Sequence, residues 1–216
     1  MDTKYGHMLA ALTSVPVTVS PLRRVPQLLA GLVLYGASMA LQIRATLGLN
    51  PWDVLHEGLT GRTGLSFGTV TALVGVLVLL CWIPLRQRPG VGTVGNVVVI
   101  GVAVDACLAV LPAPHGLVPR ISFLVAGVVL NGLAAAVYIG ARLGPGPRDG
   151  LTTGFCARTG TSLRLVRTVV ELGVLAVGWL LGGTIGVGTV LYAAAIGPLT
   201  QAFLPPVTWV SARSAS

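Results

Sequence analysis

Charge is what this 216-residue chain has least of. Only 9% of its residues are Asp, Glu, Lys or Arg, where soluble domains carry about a quarter. That scarcity excludes an ordinary water-exposed surface, and with 54% hydrophobic residues and a mean hydropathy of +0.86 the chain reads as an integral membrane protein. Cysteine is equally sparse: Cys81, Cys107 and Cys156 are odd in number, lack metal-ligand spacing, and read as small buried fillers that do not fix the redox compartment. His7, His56 and His115 are scattered, so no metal site is assigned. The chain has no G-x-x-x-x-G-K-[ST] and no H-E-x-x-H motif, and no nucleophile with its base. The reading is non-enzymatic and without a cofactor, and direct use of ATP would need another subunit. The net charge of +8 comes from Arg residues set singly or in pairs at the ends of apolar runs. They form no basic stripe, which argues against nucleic acid.

What the chain does have is a stretch that occurs twice. Leu47–Gly64 reads L-G-L-N-P-W-D-V-L-H-E-G-L-T-G-R-T-G, and Leu143–Gly160 reads L-G-P-G-P-R-D-G-L-T-T-G-F-C-A-R-T-G. Gly48, Pro51, Asp53, Gly58 and Gly64 recur 96 positions later as Gly144, Pro147, Asp149, Gly154 and Gly160. The same offset takes Gly31 to Gly127 and Gly90-Val91-Gly92-Thr93 to Gly186-Val187-Gly188-Thr189. An ungapped period of this length is an internal duplication.

Apolar runs of about 20 residues suit the bilayer core. They fall over 25–46, 67–85, 93–111, 121–141, 163–181 and 187–204, three in each copy. The expected fold class is therefore an all-α membrane protein of six transmembrane helices, arranged as two three-helix repeats at 23–114 and 119–206. Together these form one membrane domain, with flexible cytoplasmic tails at 1–22 and 207–216. A cytoplasmic N terminus puts eleven Lys and Arg inside and three outside, so both termini are expected in the cytoplasm. Three spans per copy oblige the second copy to enter from the opposite face, as in inverted-repeat transporters.

The duplicated motif reads as the start of a short helix after each first span. Asn50 can cap, Pro51 and Pro147 suit the first helical position, and Asp53 and Asp149 face the positive end of the helix dipole. Gly48 and Gly144 open the motif. Gly58 and Gly61, or Gly154 and Gly160, are expected to end helices too short to cross a bilayer. Such a helix is either interfacial or re-entrant, and a re-entrant one must be buried in protein or line a wet cavity. Trp52 stands where the second copy has Arg148, and both residues suit a membrane boundary.

Asp105 and Glu171 fall inside spans, where an ionisable group is costly. Arg167 precedes Glu171 by one turn, in position for an i,i+4 pair. Asp105 corresponds to Gln201 in the other copy, and this polar pair can line a shared cavity. Arg44 and Arg142 end the first and fourth spans, snorkelling to the surface or pairing with Asp53 and Asp149. Tyr35, Gln42, Asn96, Asn131, Tyr138 and Tyr192 add polarity that suits either a solute path or interhelical hydrogen bonds.

Q-L-L-A-G-L-V-L-Y-G from Gln27, G-L-N-P-W-D-V-L-H-E-G-L from Gly48, R-T-G-L-S-F-G-T-V from Arg62 and G-P-G-P-R-D-G-L from Gly144 resemble the bacterial YczE/YyaS/YitT group of integral membrane proteins. The resemblance runs over about residues 23–206 and favours the shorter YczE-like branch. It implies a multi-pass protein of the bacterial cytoplasmic membrane and carries over no substrate or catalytic residue. The expected function is that of a small secondary transporter or permease, its solute unknown and its coupling to a proton or ion, with a site between the repeats. Candidate substrate or coupling residues are Asn50, Asp53, Asp105, Arg148, Asp149, Glu171 and Gln201. The alternative is a non-transporting membrane partner that helps another protein assemble. Expected partners are the lipid bilayer and that solute; a homo-oligomer is compatible with the sequence.

Overall fold

The computed structural model describes residues 14–209. Among them are eight helices and no strand: α1 (Pro21–Ala45), α2 (Pro51–Thr63), α3 (Phe67–Leu85), α4 (Val91–Val110), α5 (Leu117–Gly140), α6 (Pro147–Thr159), α7 (Leu163–Leu180) and α8 (Val187–Val207). Five of them, α1, α3, α4, α5 and α8, are long and apolar enough to cross a membrane. The expected fifth span is helical as well, but α7 carries Arg164, Arg167 and Glu171 within 18 residues and is not one of the five. The tail segments 1–13 and 210–216 lie outside the described residues.

The two short helices are as the duplicated motif predicts at their starts; α2 runs past its expected stops, while α6 passes Gly154 and ends at Gly160. Each has 13 residues with Pro at its first position, a length of about 20 Å at 1.5 Å per residue, against about 30 Å of hydrocarbon. In α2 the Asn50 side chain accepts from the Asp53 N–H, whereas Gly146, at the same place in α6, has no side chain to offer. The expected stops at Gly58, Gly61 and Gly154 do not occur. Gly160 ends α6, as expected, and its counterpart Gly64 ends α2, at φ 69° and 71°, the left-handed conformation that glycine adopts without a Cβ penalty. Gly58 and Gly154 serve close packing: a Cβ would come within 2.7 Å of the Gly178 carbonyl in one case and 2.8 Å of the Gln87 side chain in the other.

α1 and α5 cross at the centre, with α4 against α1 and α8 against α5. Small residues permit the approach. A Cβ on Gly31 would stand 2.6 Å from the Tyr138 backbone, and one on Gly127 would stand 3.0 Å from the Ser38 carbonyl. Each short helix packs on the second long helix of the other copy, α2 on α7 and α6 on α3. Contacts recur at the duplication offset. Gly92 N–H donates to Leu143 O at 2.9 Å, and Gly188 N–H donates to Leu47 O at 2.8 Å. Gly48 abuts Gly186, and Gly144 abuts Gly90. Gly48 and Gly144 both hold positive φ, 108° and 128°, so only glycine serves the turn that leads into each short helix.

Arg24, second of the Arg23-Arg24 pair that precedes the first apolar run, is fully buried. Its guanidinium donates to the carbonyls of Val15, Pro16, Val19, Ala141 and Arg142 and sits 5.0 Å from the Trp209 ring centroid. It therefore ties residues expected to belong to both tails to the end of α5.

Candidate functional site

The N-terminal ends of α2 and α6 open onto one cavity of about 430 Å³, lined from both copies of the motif. Asn50, Pro51, Trp52 and His56 come from α2 and its approach; Gly146, Pro147, Arg148 and Asp149 come from the second copy. Tyr35 of α1, Asn96 of α4, Asn131 and Tyr138 of α5 and Tyr192 of α8 complete the polar wall, beside apolar Val74, Val78, Ile100 and Leu204.

Asp53 is the most enclosed acid of the site, 0% exposed. Its Oδ2 accepts from Asn50 Nδ2 at 2.5 Å, while its backbone N–H donates to Asn50 Oδ1 at 3.0 Å, so one carboxamide both caps α2 and holds the carboxylate. Asp53 Oδ1 faces His56 Nδ1 at 3.3 Å and Arg148 Nη2 at 3.8 Å. A buried charge needs such partners. Arg148 in turn lies over the Trp52 ring, 4.9 Å from its centroid, within cation–π range. The two residues that differ between the copies at one motif position, Trp52 and Arg148, thus meet face to face across the cavity.

His56 lies 3.3 Å from Thr71 Oγ1 through Nδ1, and the Thr71 hydroxyl itself donates to Phe67 O at 2.9 Å. The hydroxyl is therefore left to accept, which puts the imidazole proton on Nδ1. Nε2 is buried without a hydrogen-bond partner among the described residues.

Asp149 makes a different set of contacts. Tyr138 Oη donates to its Oδ2 at 3.0 Å, and no cation pairs with it among the described residues. Tyr192 Oη donates to Asn131 Oδ1 at 2.9 Å, and Asn131 Nδ2 donates to Ser38 Oγ at 2.7 Å. This chain of bonds fixes α8, α5 and α1 relative to one another behind the cavity.

Most of the residues singled out from the sequence thus converge. Asn50, Pro51, Pro147, Arg148, Asp149, Glu171 and Gln201 line the cavity, and Asp53 stands behind Asn50 and Arg148. Glu171 pairs with Arg167 at 2.9 Å, as the i,i+4 spacing predicts. Asp105 goes elsewhere: it accepts from Ser66 Oγ at 2.5 Å and from the Gly68 N–H at 2.7 Å, satisfying the first turn of α3, and shares no wall with Gln201. Gly48 and Gly144 shape the turns and do not line the cavity. Arg44 donates to Leu108 O and leaves Asp53 to Arg148; Arg142 Nη1 donates to Trp209 O. Gln42 is buried against its own helix, donating to Ser38 O. His56 is the site residue to which the sequence reading assigned nothing, although its i,i+3 spacing from Asp53 puts both on one helix face. Glu57, beside it, faces away and accepts from the Thr184 N–H. Groups of three or more His, Cys, Asp or Glu that could hold a metal ion are absent among the described residues.

Apolar helices of spanning length around a polar cavity define a multi-helix membrane protein. Residues 22–205 match the family of unknown function DUF6198, and the chain belongs to that family. An uncharacterized protein of Haemophilus influenzae is 39% identical over 177 residues, covering 82% of this chain and 81% of its own length. The uncharacterized membrane protein YczE of Bacillus subtilis is 36% identical over 179 residues (82% and 83%), and the uncharacterized protein YyaS of the same organism is 29% identical over 181 residues (82% and 90%). The resemblance read from the motifs is borne out for YczE and YyaS. No solved structure matches the chain.

Proposed function

We propose that the protein is a small secondary transporter of the bacterial cytoplasmic membrane, with its solute site in the cavity where α2 and α6 meet. The observation that carries this reading is the convergence of both short helices on one polar cavity. Half-helices whose N-terminal ends meet near the middle of a bundle are a recurring way to build a solute site inside a bilayer. The reading treats the chain as six spans in two inverted repeats, with both termini cytoplasmic and α7 as the sixth span. The reciprocal bonds Gly92 to Leu143 and Gly188 to Leu47 support that symmetry. The charges of α7 fit as well, because Arg167 and Glu171 belong to the cavity wall and need not meet lipid.

One asymmetry suits alternating access. A Cβ on Gly101 of α4 would stand 2.7 Å from the Gly68 carbonyl of α3, whereas its counterpart Gly197 on α8 has nothing within 4 Å. The α3–α4 seam is closed while the α7–α8 side is loose. If each repeat can adopt the other's arrangement, the cavity changes the face to which it opens.

The test is a panel of small solutes scored for thermal stabilisation of the purified protein, since a ligand of the folded state raises the melting temperature, followed by counterflow of each binder in proteoliposomes. Saturable flux that is lost in Asp53→Asn and Arg148→Gln is the expected result. Absence of flux for every binder, with a stoichiometric partner recovered by affinity capture, would replace this reading with that of an assembly partner.

A further inference from the structure

The duplication offset matches the α3–α4 seam to the α7–α8 seam residue by residue, and the two differ. Gly68 and Gly75 let α3 lie against α4: a Cβ on Gly75 would stand 3.1 Å from the Val97 side chain, and Gly68 meets Gly101. Asp105 ties the same seam through Ser66 Oγ and the Gly68 N–H. In the second copy Gly68 becomes Arg164, Gly75 becomes Glu171 and Asp105 becomes Gln201. Two glycines of close approach are thus charged residues there, and Gln201 is exposed and makes no hydrogen bond among the described residues. α7 and α8 form no packed pair; a Cβ on Gly173 or on Gly197 would meet nothing within 4 Å.

The cavity runs out through this opening. Arg167 and Glu171 of α7 and Ala193, Gly197 and Gln201 of α8 line it. Of these Arg167, Ala193, Gly197 and Gln201 are exposed, whereas Val97 and Gly101, which correspond to Ala193 and Gly197, are buried. With both termini cytoplasmic, the opening lies in the cytoplasmic half of the bilayer, because Arg167 and Glu171 stand about 6 and about 12 Å along α7 from its first residue, Leu163. Val169 and Leu172 beside them are apolar and exposed. Bare acyl chains in such an opening would leave Arg167 and Glu171 unsolvated, and a solute that is polar throughout would have to cross lipid to reach it.

We propose that the cavity takes an amphiphile from the cytoplasmic leaflet through the α7–α8 seam, its zwitterionic head among Arg148, Arg167 and Glu171 and its hydrocarbon chain left in the bilayer. This rests on the reading of the cavity as a solute site and names the class of solute. A zwitterionic head fits because the charges of the wall come in pairs, Arg148 with Asp53 and Arg167 with Glu171. A head of one sign draws one member of a pair and leaves the other at membrane depth without a partner, whereas a head with both signs meets both. The cavity volume of about 430 Å³ is in the range that encloses a group of this size, and the chain has no need to enter.

The test is saturable binding of radiolabelled oleoyl-lysophosphatidylethanolamine to the purified full-length protein in phosphatidylglycerol nanodiscs. Unlabelled lysolipid displaces it; glycerophosphoethanolamine, the head without the chain, and monoolein, the chain without the charges, do not. Gly197→Trp puts an indole into the opening, where a Cβ has space, and weakens binding about tenfold or more. Leu77→Trp, at the exposed place on α3 that corresponds to Gly173, leaves it unchanged. No saturable binding overturns the proposal, as does equal displacement by monoolein or undiminished binding in Gly197→Trp. Equal displacement by glycerophosphoethanolamine overturns it too, because the solute then arrives from water. A protein that binds no lysolipid and is dimeric until Gly197→Trp makes it monomeric overturns it and makes the seam a contact between copies. Lysolipid binding without flux of any solute in proteoliposomes upholds the site and removes the transport reading; flux of a water-soluble solute without lysolipid binding does the reverse.

Discussion

Trp82 stands where a side chain at position 150 would have to go. A Cβ on Gly150 would lie 2.0 Å from Trp82 Cζ2, and the indole Nε1 donates to Pro147 O at 3.0 Å. The duplication offset turns this pair into Gly178 and Val54, and those residues also touch, with a Cβ on Gly178 falling 2.6 Å from the Val54 carbonyl carbon. Bulk has changed sides between the two copies while the close approach of short helix to second long helix has been kept.

Gly150→Val is therefore expected to destabilise the protein by at least about 1–3 kcal/mol, the usual cost of overpacking. Trp82→Ala removes the obstruction, so the double variant should be more stable than the sum of the two single changes allows, by about 1 kcal/mol or more. Thermal unfolding of the four proteins in the same detergent measures the coupling, and simple additivity would show that this contact is not a tight one.

Arg24 is expected to matter for stability, not for flux. Its five carbonyl partners would be left without their donor in Arg24→Met, and hydrogen bonds to a charged group contribute about 1.5–3 kcal/mol each. A loss of about 3 kcal/mol or more should appear as a lower melting temperature, and Arg24→Lys should recover only part of it, because an ammonium cannot reproduce the planar fork. Full recovery by Lys would mean that charge alone accounts for the position.

The three carboxylates of Asp53, Asp105 and Glu171 should separate cleanly. Asp53→Asn is expected to reduce flux of the transported solute about tenfold or more, since it discharges the partner of Arg148. Asp105→Asn should cost about 1 kcal/mol of stability, as loss of a helix cap does, and leave flux unchanged. Glu171→Gln should cost about 0.3–0.5 kcal/mol, the value of an i,i+4 helix pair. Initial rates in proteoliposomes beside thermal unfolding of each variant decide the matter, and flux lost in Asp105→Asn but kept in Asp53→Asn would reverse the assignment.

Helix positions were legible because apolar runs and Pro, Asn and Gly signals act over a few residues. The two motif acids and their neighbours were legible because a duplication marks paired positions without any knowledge of packing. What the sequence could not supply were contacts made between distant elements. Asp105 and Gln201 share an offset, yet Asp105 is taken up by the Ser66 hydroxyl and the Gly68 N–H, a local need that outweighs the formal correspondence. Arg24 looked like a flank because a basic pair before an apolar run usually stays in water. Here it is buried by segments more than a hundred residues away. Gly58 and Gly154 looked like helix stops because glycine is a poor helix former, whereas the helix keeps them for close packing.

The central claim is that the two short helices descend from opposite faces of the membrane onto a shared cavity. Arg62 and Arg158 are equivalent and exposed near the far ends of α2 and α6, so single cysteines there, with Cys81, Cys107 and Cys156 replaced by Ser, report the side directly. A membrane-impermeant maleimide applied to intact cells should label Arg62→Cys, and should label Arg158→Cys only after the membrane is permeabilised. Equal labelling of both from the outside, or of neither until permeabilisation, would contradict the inverted arrangement and the transport reading built on it.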